Sequence, residues 1–341
     1  MKPSQFDVVI GGDGPAGLSA ALALREHGMR VALVSSPVPQ APPRAEMLPP
    51  AAEPILTRLG LEDSLDHAVA LRPTLSIWSR QHAEYLGHGM SITRPAIALD
   101  KHALVAMLRA RVASKNAFFQ PYRVRGISGA PGAWCVTTGG GPTLRARFVI
   151  DATGRAAYLA RRLGARLHLG ASLVAKTFYM PSMFRPQLVV EATNHGWWYA
   201  LPLKTGGTMG FVSAGGIAPD ISVLLPDPDD RKEGQQMWDA RNARLSPCAG
   251  PGWLATGDAA AAFDPVASQG LFNALSGGFF AGHAAADAIM GERDALDVYA
   301  ELTVRTAKRT HSHMPYHYQT AKRHTPFWHC RRRSDVDFTL C

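Results

Sequence analysis

The sequence predicts an α/β protein with a Rossmann-like dinucleotide-binding domain and an inserted sheet, and three observations carry that expectation. Residues 6–17, FDVVIGGDGPAG, give a short β-branched apolar run followed by Gly12, Gly14 and Gly17 in G-x-G-x-x-G spacing. Two later apolar strands also end in an acid and a glycine, Asp151-Ala-Thr-Gly154 and Gly257-Asp258. Between those ends lies a series of strand-like runs, the order expected of a sheet inserted into a nucleotide-binding domain.

The opening run reads as a buried parallel strand. A helical pattern follows it, with Leu18, Ala21 and Leu22 on one face and Gly28 as its stop. The start of that helix carries no side-chain cap, so its free N–H groups and positive dipole end suit a pyrophosphate, and the glycines admit the backbone close to it. Gly12, Gly14, Pro15, Ala16 and Gly17 are the candidate cradle; a plain glycine-rich turn is the alternative. Residues 30–34 form the next strand, whose end normally offers Asp or Glu to an adenosine ribose. Ser35 and Ser36 stand there instead, and Ser35 is a weaker candidate partner than a carboxylate.

Residues 37–54 are rich in proline and predict a stiff loop. It carries Glu46 and Arg44, which is either a surface charge or a group reaching toward a bound ligand. Residues 71–94 alternate as an antiparallel ribbon does, and 99–114 are helical with Leu104, Leu108 and Val112 on one stripe. Residues 133–138 and 144–150 flank glycines 139–141 as a hairpin. Strands follow at 173–180, 187–193, 197–203 and 208–214. Residues 215–246, with prolines and charges but little periodicity, read as a mobile loop or as the remnant of something larger. Another apolar strand, 253–256, leads to Gly257-Asp258, then to Pro265 and Gly270. Gly270 opens a long small-residue helix to Met290, and an amphipathic helix covers about 296–308. Pro315 and Pro326 break up the tail.

Composition narrows the class. A chain of 341 residues with 46% hydrophobic residues can bury a large core. Only five residues precede the first strand and no apolar run is long enough to span a bilayer, which predicts neither leader nor membrane partner. Four cysteines without C-x-x-C spacing predict free thiols in a reducing cytoplasm and no metal site. The net charge of +9 is concentrated in residues 308–333. That cluster is either a solvated basic tail or a docking surface for an acidic partner, and no nucleic-acid module accompanies it.

Taken together, the three strand ends resemble the FAD-dependent monooxygenases of the p-hydroxybenzoate hydroxylase superfamily. GDAAAAFDPVASQG, residues 257–270, is similar to the matching segment of the flavin-dependent tryptophan halogenases. The resemblance implies FAD as cofactor, with Asp258 on the ribityl chain and the helix after Pro265 and Gly270 aimed at the flavin pyrimidine, where negative charge develops on reduction. It implies cofactor contacts at Asp151, Gly154 and Gly257 as well. Lys101 stands where relatives have an FAD-contacting arginine, and a lysine supplies charge there without a bidentate fork.

His195-Gly-Trp197-Trp-Tyr199-Ala-Leu-Pro202 is similar to the halogenase motif W-x-W-x-I-P, with Tyr199 in place of the second tryptophan. The stretch fits either a core strand packed under the flavin or a substrate-facing wall. On the second alternative Trp197, Tyr199 and His195 are the candidate catalytic groups, His195 as acceptor of the proton lost on rearomatisation. The halogenases also need a lysine between flavin and substrate; Lys101, Lys176 and Lys204 are the candidates, none in the family's context. The loop 43–50, the S-Q-G form of the third motif and the tail around Pro326-Phe327-Trp328 look closest to the subgroup that modifies a peptidyl tryptophan during maturation of tryptophylquinone cofactors in bacterial amine dehydrogenases and oxidases.

The fold thus implied is a Rossmann-like, GR2-type FAD domain made of 1–70, 95–170 and 247–292, a substrate domain of 71–94 and 171–246, and a C-terminal helix and tail over 293–341. The activity implied is hydroxylation of an aromatic ring through a C4a-hydroperoxyflavin, on a client protein or peptide, with oxygen and with a flavin reductase or NAD(P)H as electron source. Halogenation of free indoles, and a flavin-binding maturation partner without turnover, are the competing expectations. Residues 211–256 are shorter than in relatives, which fits an open cleft or a missing segment.

Overall fold

Val8, Val9 and Ile10 are fully buried, and a twisted sheet with helices over it buries them. The structure is a computed structural model describing residues 5–37, 41–86, 95–182, 185–215, 217–226 and 235–332. The expectations that fall on 87–94, Arg333 and Cys341 lie outside these.

Strand Gln5–Gly11 sits at the centre of this first sheet, parallel to Leu144–Asp151 on one side and to Val31–Val34 on the other. Trp253–Ala255 and Phe118–Gln120 extend it in the same sense. The hairpin of Val124–Ala130 and Ala133–Thr138 lies antiparallel along the first half of Leu144–Asp151. Helices Pro15–Glu26, Lys101–Ser114 and Gly270–Met290 cover one face with Leu18, Leu104, Leu108 and Leu275. The helix placed at 99–114 begins at Lys101 instead: Leu99 belongs to strand Ile97–Asp100, and the Asp100 carboxylate caps the helix by accepting from His102 N at 3.0 Å.

Helices Pro15–Glu26 and Gly270–Met290 pack backbone to backbone. A Cβ at Gly278 would stand 2.2 Å from Ala16 O, and one at Gly282 would stand 2.5 Å from Ala20 O. Ser19 Oγ donates to Leu275 O at 2.6 Å across this contact.

Among the described residues the second sheet has seven strands, in the order Gln236–Asp239, Val174–Met180, Gly207–Ser213, Gly196–Pro202, Gln187–Ala192, Arg72–Ile77 and Glu84–Leu86. All neighbours are antiparallel except Gln187–Ala192 and Arg72–Ile77. Alternation sends Trp197 and Val212 to one face and Trp198, Phe211 and Phe178 to the other. The described part of the segment 215–246 is not all loop, for it supplies strands Gln236–Asp239 and Ala243–Ser246. Buried Glu191 holds another part of it, accepting from Ser222 Oγ at 2.5 Å and from the N–H groups of Val223 and Leu224. A small sheet of Ala45–Leu48, Ile97–Asp100 and Val69–Ala70 lies between the two large ones, and Ala45 N donates to Thr208 Oγ1 at 2.8 Å.

The tail departs most from expectation. One helix, Ala295–Thr320, runs through Pro315 with Met314 and Tyr318 buried on either side of it. Pro326 starts helix Pro326–Arg331 where its missing N–H has no cost. Phe327 and Trp328 enter an aromatic cluster with Trp78, Trp197 and Tyr318, and Trp328 Nε1 donates to Thr193 O at 2.8 Å. Arg331 is buried and donates to Ala171 O and Ser172 O. The tail is therefore not solvated as a whole; it covers one face of the second sheet.

Candidate cofactor and active site

Registry places the predicted cradle in one row. Gly11 pairs with Val34 and Asp151, and Asp151 pairs with Ala255, so four parallel strands end level at one edge of the first sheet. Gly12, Ser35, Ala152 and Thr256 follow at that edge, each tied back to it through its backbone. This is the carboxyl edge at which open α/β sheets hold ligands.

Gly12 has φ 107°, and a Cβ there would meet Ala152 O at 2.1 Å, so only glycine makes the turn. A Cβ at Gly17 would meet Gly12 O at the same distance, which fixes the first helical turn against the loop. Gly14 differs: nothing lies within 4 Å of its Cβ position, it is the N-cap, and no side chain caps the helix. Pro15 follows, and Ala16 packs on Gly257, whose Cβ would stand 2.6 Å from the Ala16 methyl. Asp13 in the loop is neutralised by Arg109, whose guanidinium also lies 4.2 Å from the Phe119 ring centre. An open, uncapped helix start beside a neutralised loop acid suits a pyrophosphate.

The second helix start is alike. Gly270 has open space at its Cβ position, and Gln269 gives Gly270–Met290 no side-chain cap. Asp258 has a half-exposed side chain, with Arg155 Nε 3.7 Å from its carboxylate. Arg155 donates to Arg241 O at 2.5 Å and Phe263 O at 3.2 Å, so it ties the turn at Gly154 to the third motif. Gly154 is left-handed, φ 67°, with open space around it. Ser35 follows the second strand of the row, and its hydroxyl makes a long 3.4 Å contact to Ser36 O. These features fit FAD: two bare helix starts, an acid between them, and glycines where the ligand would pass.

Asp151 ends its strand at the same edge. Its carboxylate turns inward and accepts from Thr153 N, Thr153 Oγ1 and Ala160 N at 2.6–2.9 Å, holding the 153–160 turn. Burial pushes its carboxyl up despite those donors.

A second group stands at the small middle sheet. Arg44 pairs with Glu46 at 3.1 Å, Lys101 Nζ lies 3.8 Å from the same carboxylate, and Asp100 accepts from Arg44 N at 3.0 Å. The Arg44 guanidinium covers the Trp238 ring at 4.6 Å. Tyr199 belongs with them. Its ring lies flat on Gly210, where a Cβ would meet it at 2.3 Å, and burial pushes its phenol up to about 12, opposed by Arg44 and aided by Glu46.

The other two catalytic candidates are not in this group. Trp197 is 3% exposed in the aromatic cluster, its Nε1 donating to the Tyr318 hydroxyl at 3.3 Å, so it is a core residue. His195 stands on an exposed turn, held to Asp220 by Nδ1 at 2.8 Å and by its own N–H. Alternation explains Trp197, because the face it shares with Tyr199 is covered by the tail. Lys176 donates to Ile217 O and Lys204 to Asp66 O, so both are engaged away from the row.

Sequence reasoning passed over Asp264. It is buried, caps the turn Pro265–Ala267 through Val266 N at 3.0 Å, and accepts from the Tyr318 hydroxyl at 2.8 Å. Burial pushes its carboxyl up to about 6, against these donors and against Arg331 and Arg155. The Asp-Pro pair was a readable cap signal; Tyr318 offered none. Among the described residues no group of three or more His, Cys, Asp or Glu could hold a metal, and no helix is long and apolar enough to cross a membrane.

Comparison with known proteins agrees with this geometry. A family model for the FAD binding domain matches residues 5–251. The chain is 24% identical over 334 residues to a tryptophan 2-halogenase of Chondromyces crocatus, covering 86% of this chain and 63% of the halogenase. It is 23% identical to a 1H-pyrrole-2-carbonyl-[peptidyl-carrier protein] brominase of Pseudoalteromonas luteoviolacea (strain 2ta16), over 86% of this chain and 80% of the brominase. Among solved structures, the peptidyl tryptophan dihydroxylase QhpG, essential for tryptophylquinone cofactor biogenesis, superposes with a TM-score of 0.80 at 20% identity, covering 98% of this chain and 80% of QhpG. The myxobacterial chondrochloren halogenase CndH gives 0.81 at 19%, covering 99% and 87%. At such identities these likenesses establish the fold.

Proposed function

The chain belongs to the FAD-binding-domain family, and from that premise we propose that this FAD-dependent oxidoreductase hydroxylates an aromatic ring, a tryptophan carried by another protein or peptide. The observation that carries hydroxylation over halogenation is the engagement of the candidate lysines: Lys176 and Lys204 on backbone carbonyls, Lys101 on Glu46. The peptidyl substrate is supported by the likeness to QhpG.

The row Gly12–Gly17 would hold the pyrophosphate, Asp258 the ribityl hydroxyls, and the bare start of Gly270–Met290 the flavin carbonyl on which charge accumulates. FAD, when bound and reduced, would supply the electrons that activate molecular oxygen for transfer to the ring. The chain's own residues bind, orient and exclude water. Tyr199 and the Arg44–Glu46–Lys101 group form the wall between the cofactor edge and the second sheet, and Trp238 under Arg44 extends that wall to the sheet's edge strand. An indole is electron-rich, so the chain needs no dedicated base for the attack. Its proton leaves to solvent or to a neighbouring carboxylate.

The test is mass spectrometry of tryptophan-containing client peptides after incubation with the protein, reduced flavin, oxygen and chloride. One or two oxygen atoms gained on tryptophan supports the proposal. Chlorine gained instead, or reoxidation of flavin with every peptide unchanged, overturns it.

A further inference from the structure

Asp264 joins three parts of the chain that are remote in sequence. Its Oδ1 accepts from Val266 N at 3.0 Å, at the head of the loop that ends at Gly270. Its Oδ2 accepts from the Tyr318 hydroxyl at 2.8 Å, on the long C-terminal helix. The same hydroxyl accepts from Trp197 Nε1 at 3.3 Å, on the second sheet. Asp264 N donates to Asn242 Oδ1 at 2.8 Å, which fixes the start of the loop independently. Within this loop Ser268 is left-handed, φ 51°, a conformation that a non-glycine residue keeps only when its surroundings hold it.

We propose that Asp264 and Tyr318 form a proton-linked bridge through which the C-terminal helix positions the Gly270 helix start against FAD and ties it to Trp197 on the second sheet. Asp264 is thus a positioning residue. The proposal rests on FAD binding and not on hydroxylation, so a failed peptide assay leaves it standing.

The chemistry of the proton follows from the acceptor count. An ionised carboxylate accepts at both oxygens, so both bonds form together. Protonation makes one oxygen a donor and a poorer acceptor, so the Val266 bond or the Tyr318 bond weakens or reverses. The carboxyl rests at about 6, within the range where such a change is observable. The groups facing Asp264 are Tyr318 and His311 from the long helix, Arg331 from the terminal helix, Arg155 from the turn at Gly154, and Asn242 from the loop preceding strand Ala243–Ser246. Most of these, with Met314 and Pro315, line a small cavity beside the carboxylate.

Two measurements test this. In the apoprotein, tryptophan fluorescence should show a transition between about pH 5 and 7.5, because Trp197 reports the Tyr318 hydroxyl; Asp264→Asn should abolish it. FAD titration should give about five-fold weaker binding at pH 5 than at pH 7.5, the equivalent of one hydrogen bond, and Asp264→Asn should bind equally at both. Tyr318→Phe should weaken FAD binding about five-fold at pH 7.5, although Tyr318 lies in none of the cofactor motifs. Should Asp264→Asn keep the wild-type pH dependence in both measurements, the bridge is not proton-linked and the proposal fails. Wild-type FAD affinity in Tyr318→Phe would overturn the positioning role. If that variant does not fold, the Asp264→Asn comparison decides alone.

Discussion

Gly277 and Gly278 are neighbours in the helix Gly270–Met290, yet adding one methyl group to each should change stability in opposite directions. At Gly278 the new Cβ would lie 2.2 Å from Ala16 O and 2.9 Å from Ala16 C and Cα. Ordinary contact begins near 3.4 Å, so the two helices must separate by about 1.2 Å at their closest point. The obstacle is backbone, which cannot rotate away, and overpacking of this kind costs about 1–3 kcal/mol or more. Replacing helical glycine by alanine returns up to about 1 kcal/mol. Gly278→Ala should therefore destabilise by about 1–2 kcal/mol or more. At Gly277 the nearest atom to the new Cβ is Thr256 Oγ1 at 3.7 Å, an ordinary contact, and Gly277→Ala should stabilise by about 0.5–1 kcal/mol. Urea unfolding of the apoproteins measures both. Because Ala16 adjoins Gly17, Gly278→Ala should also weaken FAD binding, by about ten-fold if 1.4 kcal/mol of the strain reaches the cradle. A Gly278→Ala protein as stable as Gly277→Ala would refute the argument from close helix approach.

Four further outcomes are expected. Asp258→Ala should weaken FAD binding by about ten-fold or more, the scale of a hydrogen bond to a charged group, and leave urea stability within about 0.5 kcal/mol because the side chain is half exposed. Asp151→Asn should do the reverse, costing about 2–3 kcal/mol in urea unfolding, because its new amide would face Ala160 N or Thr153 N as a second donor. For Asp264 the folded carboxyl sits above its unfolded value, so its contribution is fully present below about pH 4 and is lost as pH rises through about 6; relative to wild type, Asp264→Asn should gain up to about 3 kcal/mol in urea stability between pH 4 and 7. Trp328→Ala should cost about 3–5 kcal/mol, detected as a lowered unfolding midpoint, whereas a solvated tail would tolerate it.

What could be read in the chain was what local chemistry determines. The glycine spacing, the apolar strand and the uncapped helix start are neighbours in sequence, and they placed the cofactor edge. Strand alternation likewise marked out the second sheet, including the runs at 187–193 and 197–203. Its limits appear where a distant segment decides. Trp197 and Tyr199 share one face, but the first is sealed by Tyr318 and Trp328, more than a hundred residues away, while the second rests beside Arg44. Nothing near Asp151 shows that its carboxylate turns back to Ala160 and not out toward a ligand. The basic cluster reads as either a solvated tail or a docking surface, and neither reading contains what the structure shows: Arg331 is buried with its guanidinium on two carbonyls, and no composition rule reports that. Pro315 by itself predicts a break, yet the buried contacts of Met314 and Tyr318 carry the helix through it.

The close pairing of Pro15–Glu26 with Gly270–Met290 also constrains how the protein is made. The surface that matches the Ala16–Ala20 backbone of the first helix is encoded more than 250 residues after it. The central strand waits as well, since its partners Leu144–Asp151 and Trp253–Ala255 arrive in turn. A nascent chain therefore exposes an apolar strand and an unfilled helix groove until those later segments follow, a period in which chaperone contact is the alternative to aggregation. No fragment ending before Gly270 carries both of the uncapped helix starts.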